Sequence, residues 1–117
     1  MKTKYYGLNT LTRLHQFKAV DAGKSEIVWH LNIPKPYILF INALGNSWYP
    51  NTEYTLYIDG EKVEDIEREV APINNPVRID PPIVAFYEVK VIGTNNDKER
   101  HMLEFLIDGF LIEKPTY

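Results

Sequence analysis

The chain contains no cysteine. Disulfides and thiolate metal sites are therefore excluded, and the fold must stand on packing alone. Basic residues are not in excess: 13 Lys and Arg face 16 Asp and Glu, for a net charge of −3. Nothing in that balance neutralises a phosphate backbone, so nucleic acid is not an expected partner. No run approaches the roughly 18 apolar residues of a membrane span; the longest, such as Tyr37 to Ile41, are strand-sized. The opening text MKTKYYGLNTLTRLHQF has lysines but no apolar stretch of leader length after them, so neither a signal peptide nor a membrane partner is expected. Serine is scarce: Ser25 and Ser47 are the only two, and neither lies in G-x-S-x-G. A P-loop and a G-x-G-x-x-G are both missing, and no cofactor is expected.

The 117 residues fit one domain. Aromatic and β-branched residues cluster in short runs separated by Gly, Pro, Asn and Asp, which predicts strands and turns. The eight prolines also count against long helices. From Glu26, alternation puts Ile27, Trp29, Leu31 and Ile33 on one face and His30 on the other. Residues 37–42, YILFIN, are apolar on both faces, as in a central strand covered on both sides. Tyr54, Leu56 and Ile58 share a face before Asp59-Gly60, a strong hairpin signal, and Glu61 to Val63 return. Residues 63–70, VEDIEREV, fit either a helical turn or a charged edge strand. Residues 77–80 form a short strand stopped by Pro81-Pro82. Residues 83–94 are the longest strand predicted. His101 to Ile107 and Phe110 to Glu113 close the chain around a turn or bulge at Asp108-Gly109.

Seven to eight such strands, with turns at regular spacing, favour an all-β fold: an antiparallel β-sandwich of jelly-roll or Greek-key type over residues 26–117. Residues 1–25 read two ways. Leu8, Leu11, Leu14 and Phe17 recur every three residues, with Thr10 to cap a short helix and Gly23 to end it. The same text also suits an extended arm.

Catalytic chemistry has little support. His15, His30 and His101 lie in separate segments, with no carboxylate at close ligand spacing, so no metal site is expected. The carboxylates Glu64, Asp65, Glu67 and Glu69 read as a solvated face, and Asp59, Asp80 and Asp108 are explained by turns and strand ends. Asn95, Asn96, Asp97 and Glu99 offer at most a weak calcium loop.

One loop stands apart. In GNSWYPN (45–51), two large aromatics, Trp48 and Tyr49, sit among loop-forming residues. Three readings compete: the rings cap the sandwich core, anchor a protein contact, or stack on a sugar whose hydroxyls bond Asn46, Ser47 and Asn51. Tyr5, Tyr6 and Tyr117, near the chain ends, extend the contact reading, because ends stay loose unless docked on something.

The segments KPYILFINAL, LYIDGEKV and DPPIVAFYEVKVIGTNND, in a short cysteine-free chain with an N-terminal arm, resemble small β-sandwich virion proteins of tailed bacteriophages, the capsid decoration or accessory subunits. The resemblance is one of architecture and carries over no site residues. It implies a subunit that self-associates, often as a trimer, and binds a capsid or tail surface without catalysis. Its place would be the virion, or the cytoplasm of an infected host cell. The expected function is a non-enzymatic interaction protein, with a carbohydrate-binding module as the alternative.

Overall fold

A computed structural model describes residues 11–63 and 76–113, with the side chains of residues 11–13 left undescribed. Eight strands run through these segments: β1 (Leu11–Val20), β2 (Lys24–Asn32), β3 (Tyr37–Asn46), β4 (Thr52–Ile58), β5 (Glu61–Lys62), β6 (Val77–Ala85), β7 (Glu88–Asn95) and β8 (His101–Glu113). They form two antiparallel four-stranded sheets, ordered β1-β8-β3-β6 and β2-β7-β4-β5. The inner faces pack into one core, with Trp29, Leu39, Ile41, Val89, Val91, Leu103 and Ile107 almost wholly buried. This is a β-sandwich, as the alternation predicts. Among the described residues no helix is long and apolar enough to cross a membrane.

The helical option for the N-terminal segment is not taken between residues 11 and 20. Leu11–Val20 pairs along its whole length with β8, from Leu11 opposite Phe110 to Val20 opposite His101. The three-residue spacing is incidental. Leu14 packs against the core while Phe17 is exposed on the other face, as a period of two requires. A division at residue 25 therefore does not follow the strands, since β1 is an integral edge of the sandwich. Leu8 and Thr10 lie outside the described residues, as do residues 64–70 of the ambiguous charged segment.

β1 is stitched to β2 by side chains. The Gln16 amide donates to the His30 carbonyl (2.9 Å) and accepts from the His30 N–H (3.2 Å). The Trp29 indole N–H donates to the Leu14 carbonyl (3.2 Å). These bonds occupy backbone groups that an edge strand otherwise leaves open.

Bulges account for the other departures. The β2–β7 register slips between Ile27 and Trp29, so Val28 and Trp29 are both buried and Ile27 is turned out, 49% exposed, instead of joining the inward face. A slip between Ile41 and Ala43 puts a bulge on β3. β8 runs straight through Asp108-Gly109, which is neither a turn nor a bulge. Gly109 sits there because a side chain would collide with the Phe40 carbonyl. β3 is central, as expected, but its second face is only half covered, with Ile38 and Phe40 partly exposed.

Pro81-Pro82 does not stop the strand at Asp80. β6 continues to Ala85, because it is an edge strand and Ile79–Pro82 bulge out of the ladder. The long strand expected over 83–94 is instead two strands in different sheets, β6 and β7, joined at Phe86-Tyr87.

Candidate functional site

The β1–β2 turn, the β3–β4 loop (Ser47–Asn51) and the β7–β8 loop (Asn96–Arg100) gather at one end of the sandwich. Gly23 N–H donates to the Asn95 carbonyl (2.7 Å), and Asn96 N–H to the Asn51 carbonyl (2.8 Å). Asn95 organises this end from inside. It is fully buried, its amide donates to the carbonyls of Val20 and Glu99, and its oxygen accepts from Asp97 N–H. Asn95 and Asp97 are thus engaged in shaping the loop, and among the described residues no three His, Asp or Glu side chains converge to hold a cation.

Ser47 is the anchor of the aromatic loop. Its N–H donates to the Glu104 carbonyl (3.0 Å), and its hydroxyl accepts from Glu104 N–H (2.9 Å) and shares a hydrogen bond with the Tyr54 hydroxyl (2.7 Å). Its carbonyl accepts from the Tyr54 hydroxyl (3.1 Å) and from the Asn46 amide (2.9 Å). Burial pushes the Tyr54 phenol above its ordinary range, so it stays a neutral partner. Ser47 is a structural hydroxyl, and no histidine bonds to it.

Trp48 and Tyr49 part company. Tyr49 turns inward, packs against the core and stacks on His101, with ring centroids 4.2 Å apart and planes 12° apart. His101 in turn bonds Asp97 (2.6 Å). Hydrogen bonds from His101 and then from Lys98 N–H hold the Asp97 carboxyl below its ordinary range. The capping reading thus describes Tyr49. Trp48 is 58% exposed, on a loop whose neighbours are tied down. Asn51, at a φ of 59°, turns the chain back toward β4 and lines a shallow open cleft with Thr52, Glu53 and Asn96. The Asn46 amide is used on the Ser47 carbonyl and the Ser47 hydroxyl on Glu104 N–H and Tyr54, and of the three polar candidates only Asn51 lines the cleft. Tyr5, Tyr6 and Tyr117 lie outside the described residues.

Two features escaped the sequence. Each histidine is hydrogen-bonded to a carboxylate: His15 to Glu104 (2.8 Å), His30 to Glu88 (2.7 Å) and His101 to Asp97. The first two pairs are 89 and 58 residues apart, so only strand order reveals them.

The second lies at the opposite end. Phe86 and Tyr87 form the corner between the sheets, 46% and 67% exposed, with ring centroids 6.3 Å apart. One carboxylate holds the corner. Asp59 accepts from the N–H groups of Phe86 (2.9 Å), Tyr87 (2.6 Å) and Glu88 (2.9 Å), and its own N–H donates to the Glu88 carbonyl (2.8 Å). Partial burial pushes the Asp59 carboxyl up, but the three N–H donors outweigh it and hold it below its ordinary range. Asp59 serves its own hairpin as well, at a φ of 52° before Gly60 at 87°.

Comparison with protein-family models gives no match, and comparison with curated proteins gives none.

Proposed function

We propose that this protein is a non-enzymatic jelly-roll subunit that self-associates within a larger assembly. A virion of the tailed-bacteriophage kind, where such a subunit decorates a capsid or tail, is the setting this reading favours. The strand order β1-β8-β3-β6 against β2-β7-β4-β5 supports the jelly-roll assignment, since it is the pairing expected of two Greek keys wound together. The observation that carries the function is Trp48. Its loop is held by hydrogen bonds through Ser47 and the Tyr49 carbonyl, the Tyr49 ring is packed away, and the indole is left in water. A tryptophan brings a large contact area with few rotatable bonds to order, and suits an interface anchor.

The test is sedimentation velocity of the full chain across a wide concentration range, beside the Trp48→Ala variant. Concentration-dependent assembly that weakens in the variant is expected. A monomer throughout, or assembly unchanged by the substitution, would refute the proposal.

The cleft of Asn51, Thr52, Glu53 and Asn96 supports the second reading, a carbohydrate-binding module. Trp48 would stack on the sugar ring and the cleft would bond its hydroxyls. That reading expects a glycan to shift Trp48 fluorescence, and a glycan array without signal removes it.

A further inference from the structure

A histidine–carboxylate pair lies beside Trp48. Ser47, the residue before the tryptophan, holds both backbone groups of Glu104: its N–H donates to the Glu104 carbonyl and its hydroxyl accepts from the Glu104 N–H. On the other side of β8, Phe17 stands opposite Glu104 and Ala19 opposite Met102. Glu104 and Met102 are two apart on one strand, so they share the outer face of the β1-β8-β3-β6 sheet. Phe17 and Met102 are both exposed there. The Glu104 carboxylate is hydrogen-bonded to His15 (2.8 Å), whose ring also meets that of Phe17, with centroids 5.8 Å apart. The pair is still open to water, 38% and 34% exposed.

We infer that the His15–Glu104 pair makes the contact at Trp48 depend on pH, tightening it as His15 gains a proton. The inference rests on the self-association proposed for Trp48, so the partner is a second copy of this chain. A specific contact takes about 800 Å² from each partner. One indole offers far less, so the contact extends onto the face that Phe17 and Met102 leave exposed, and the pair among them leaves water. With a neutral imidazole the pair carries the whole negative charge of Glu104, and burying an uncompensated carboxylate is costly. Each copy brings one such charge to the assembly, and like charges brought together add to that cost. With His15 protonated the pair has no net charge, and its hydrogen bond is charge-assisted.

The other charged groups on this face are few. β8 carries Asp108 as well as Glu104, and β1 carries Arg13, opposite Asp108 in the register. Beyond β8, the β3 residues opposite Asp108 and Leu106 are Ala43 and Gly45, which carry no charge. Of these residue types, histidine is the one that changes charge between about pH 6 and pH 8.

Protonating all three histidines would also cancel the net charge of −3, which favours association of any kind. Variants separate the two effects in sedimentation velocity of the full chain at about pH 6 and about pH 8. The wild-type dissociation constant should be about three- to tenfold lower at the acid end. Glu104→Gln removes the charge and should assemble at the higher pH as tightly as wild type does at the lower. His15→Gln keeps a donor for Glu104 without taking a proton, and should assemble at the lower pH as weakly as wild type does at the higher. His30→Gln, on the other sheet, should keep the wild-type dependence. Wild-type assembly that ignores pH, a dependence that survives in His15→Gln, or one lost in His30→Gln would overturn the inference. Trp48→Ala tells the two failures apart. Assembly weakened by Trp48→Ala yet indifferent to pH refutes the pH dependence and leaves the Trp48 contact standing, whereas a monomer throughout refutes both.

Discussion

Replacing Asp59 by Asn tests whether one carboxylate holds the corner between the sheets. The substitution is chosen for its geometry. Asn tolerates the φ of 52° that Asp59 adopts and keeps one acceptor oxygen, so the change isolates the charge and the second oxygen. Three N–H donors now share the carboxylate. Hydrogen bonds to a charged group contribute roughly 1.5–3 kcal/mol each. The corner is exposed, so water recovers most of what is lost, and the expected net cost is about 1–2 kcal/mol. For a domain of this size that lowers Tm by about 3–10 °C. The assay is urea and thermal denaturation of both proteins across pH, with hydrogen exchange at residues 86–88. The carboxyl is held below its ordinary range, so its contribution is complete above the unfolded value and is lost as pH falls through the folded one. The gap between the proteins should be constant from neutral pH to about pH 5 and close below about pH 4. Equal stability at neutral pH, or a gap that widens with acid, would refute the clamp.

Gly109→Ala and Gly93→Ala separate a backbone clash from a side-chain one. A methyl at Gly109 meets the Phe40 carbonyl and lies 3.3 Å from the Ile41 Cα, so β3 must shift, at about 2–4 kcal/mol. At Gly93 it meets side-chain methyls of buried Leu103 and Val28 (2.8 and 2.9 Å) rather than backbone, and the cost should be lower, about 1–3 kcal/mol; denaturant midpoints give the order. Trp29→Phe leaves a void and an unpaired Leu14 carbonyl, and should cost about 2–4 kcal/mol while loosening β1 in hydrogen exchange. Trp48→Ala should change stability by less than about 0.5 kcal/mol, because the indole is mostly in water.

Sequence alternation is enough to place most of the strands, the Asp59-Gly60 hairpin and the two-sheet layout. What it misses has a common cause. Ile27 and Trp29 are two apart and should share a face, but one extra residue in the ladder turns Ile27 out. Phe86 and Tyr87 carry strand-favouring side chains with no Gly or Pro beside them, and the bend is imposed from Asp59, 27 residues away. Pro81-Pro82 reads as a stop, yet an edge strand tolerates it once the pair bulges from the ladder. At the aromatic loop, composition alone marks Trp48 and Tyr49 as unusual. It does not divide them, because the partner that buries Tyr49 is His101, across the sandwich end. The His15–Glu104 and His30–Glu88 pairs are hidden for the same reason, as products of strand order, whereas Asp97 and His101 are only four residues apart.

The chain's two tryptophans offer the most direct measurement. Trp29 is fully buried and Trp48 is 58% exposed, so acrylamide should quench one component of the dilute protein and spare the other. If Trp48 anchors the contact between subunits, raising the protein concentration should shrink the quenchable component. A quenchable component that stays constant from dilute to concentrated protein would contradict the account.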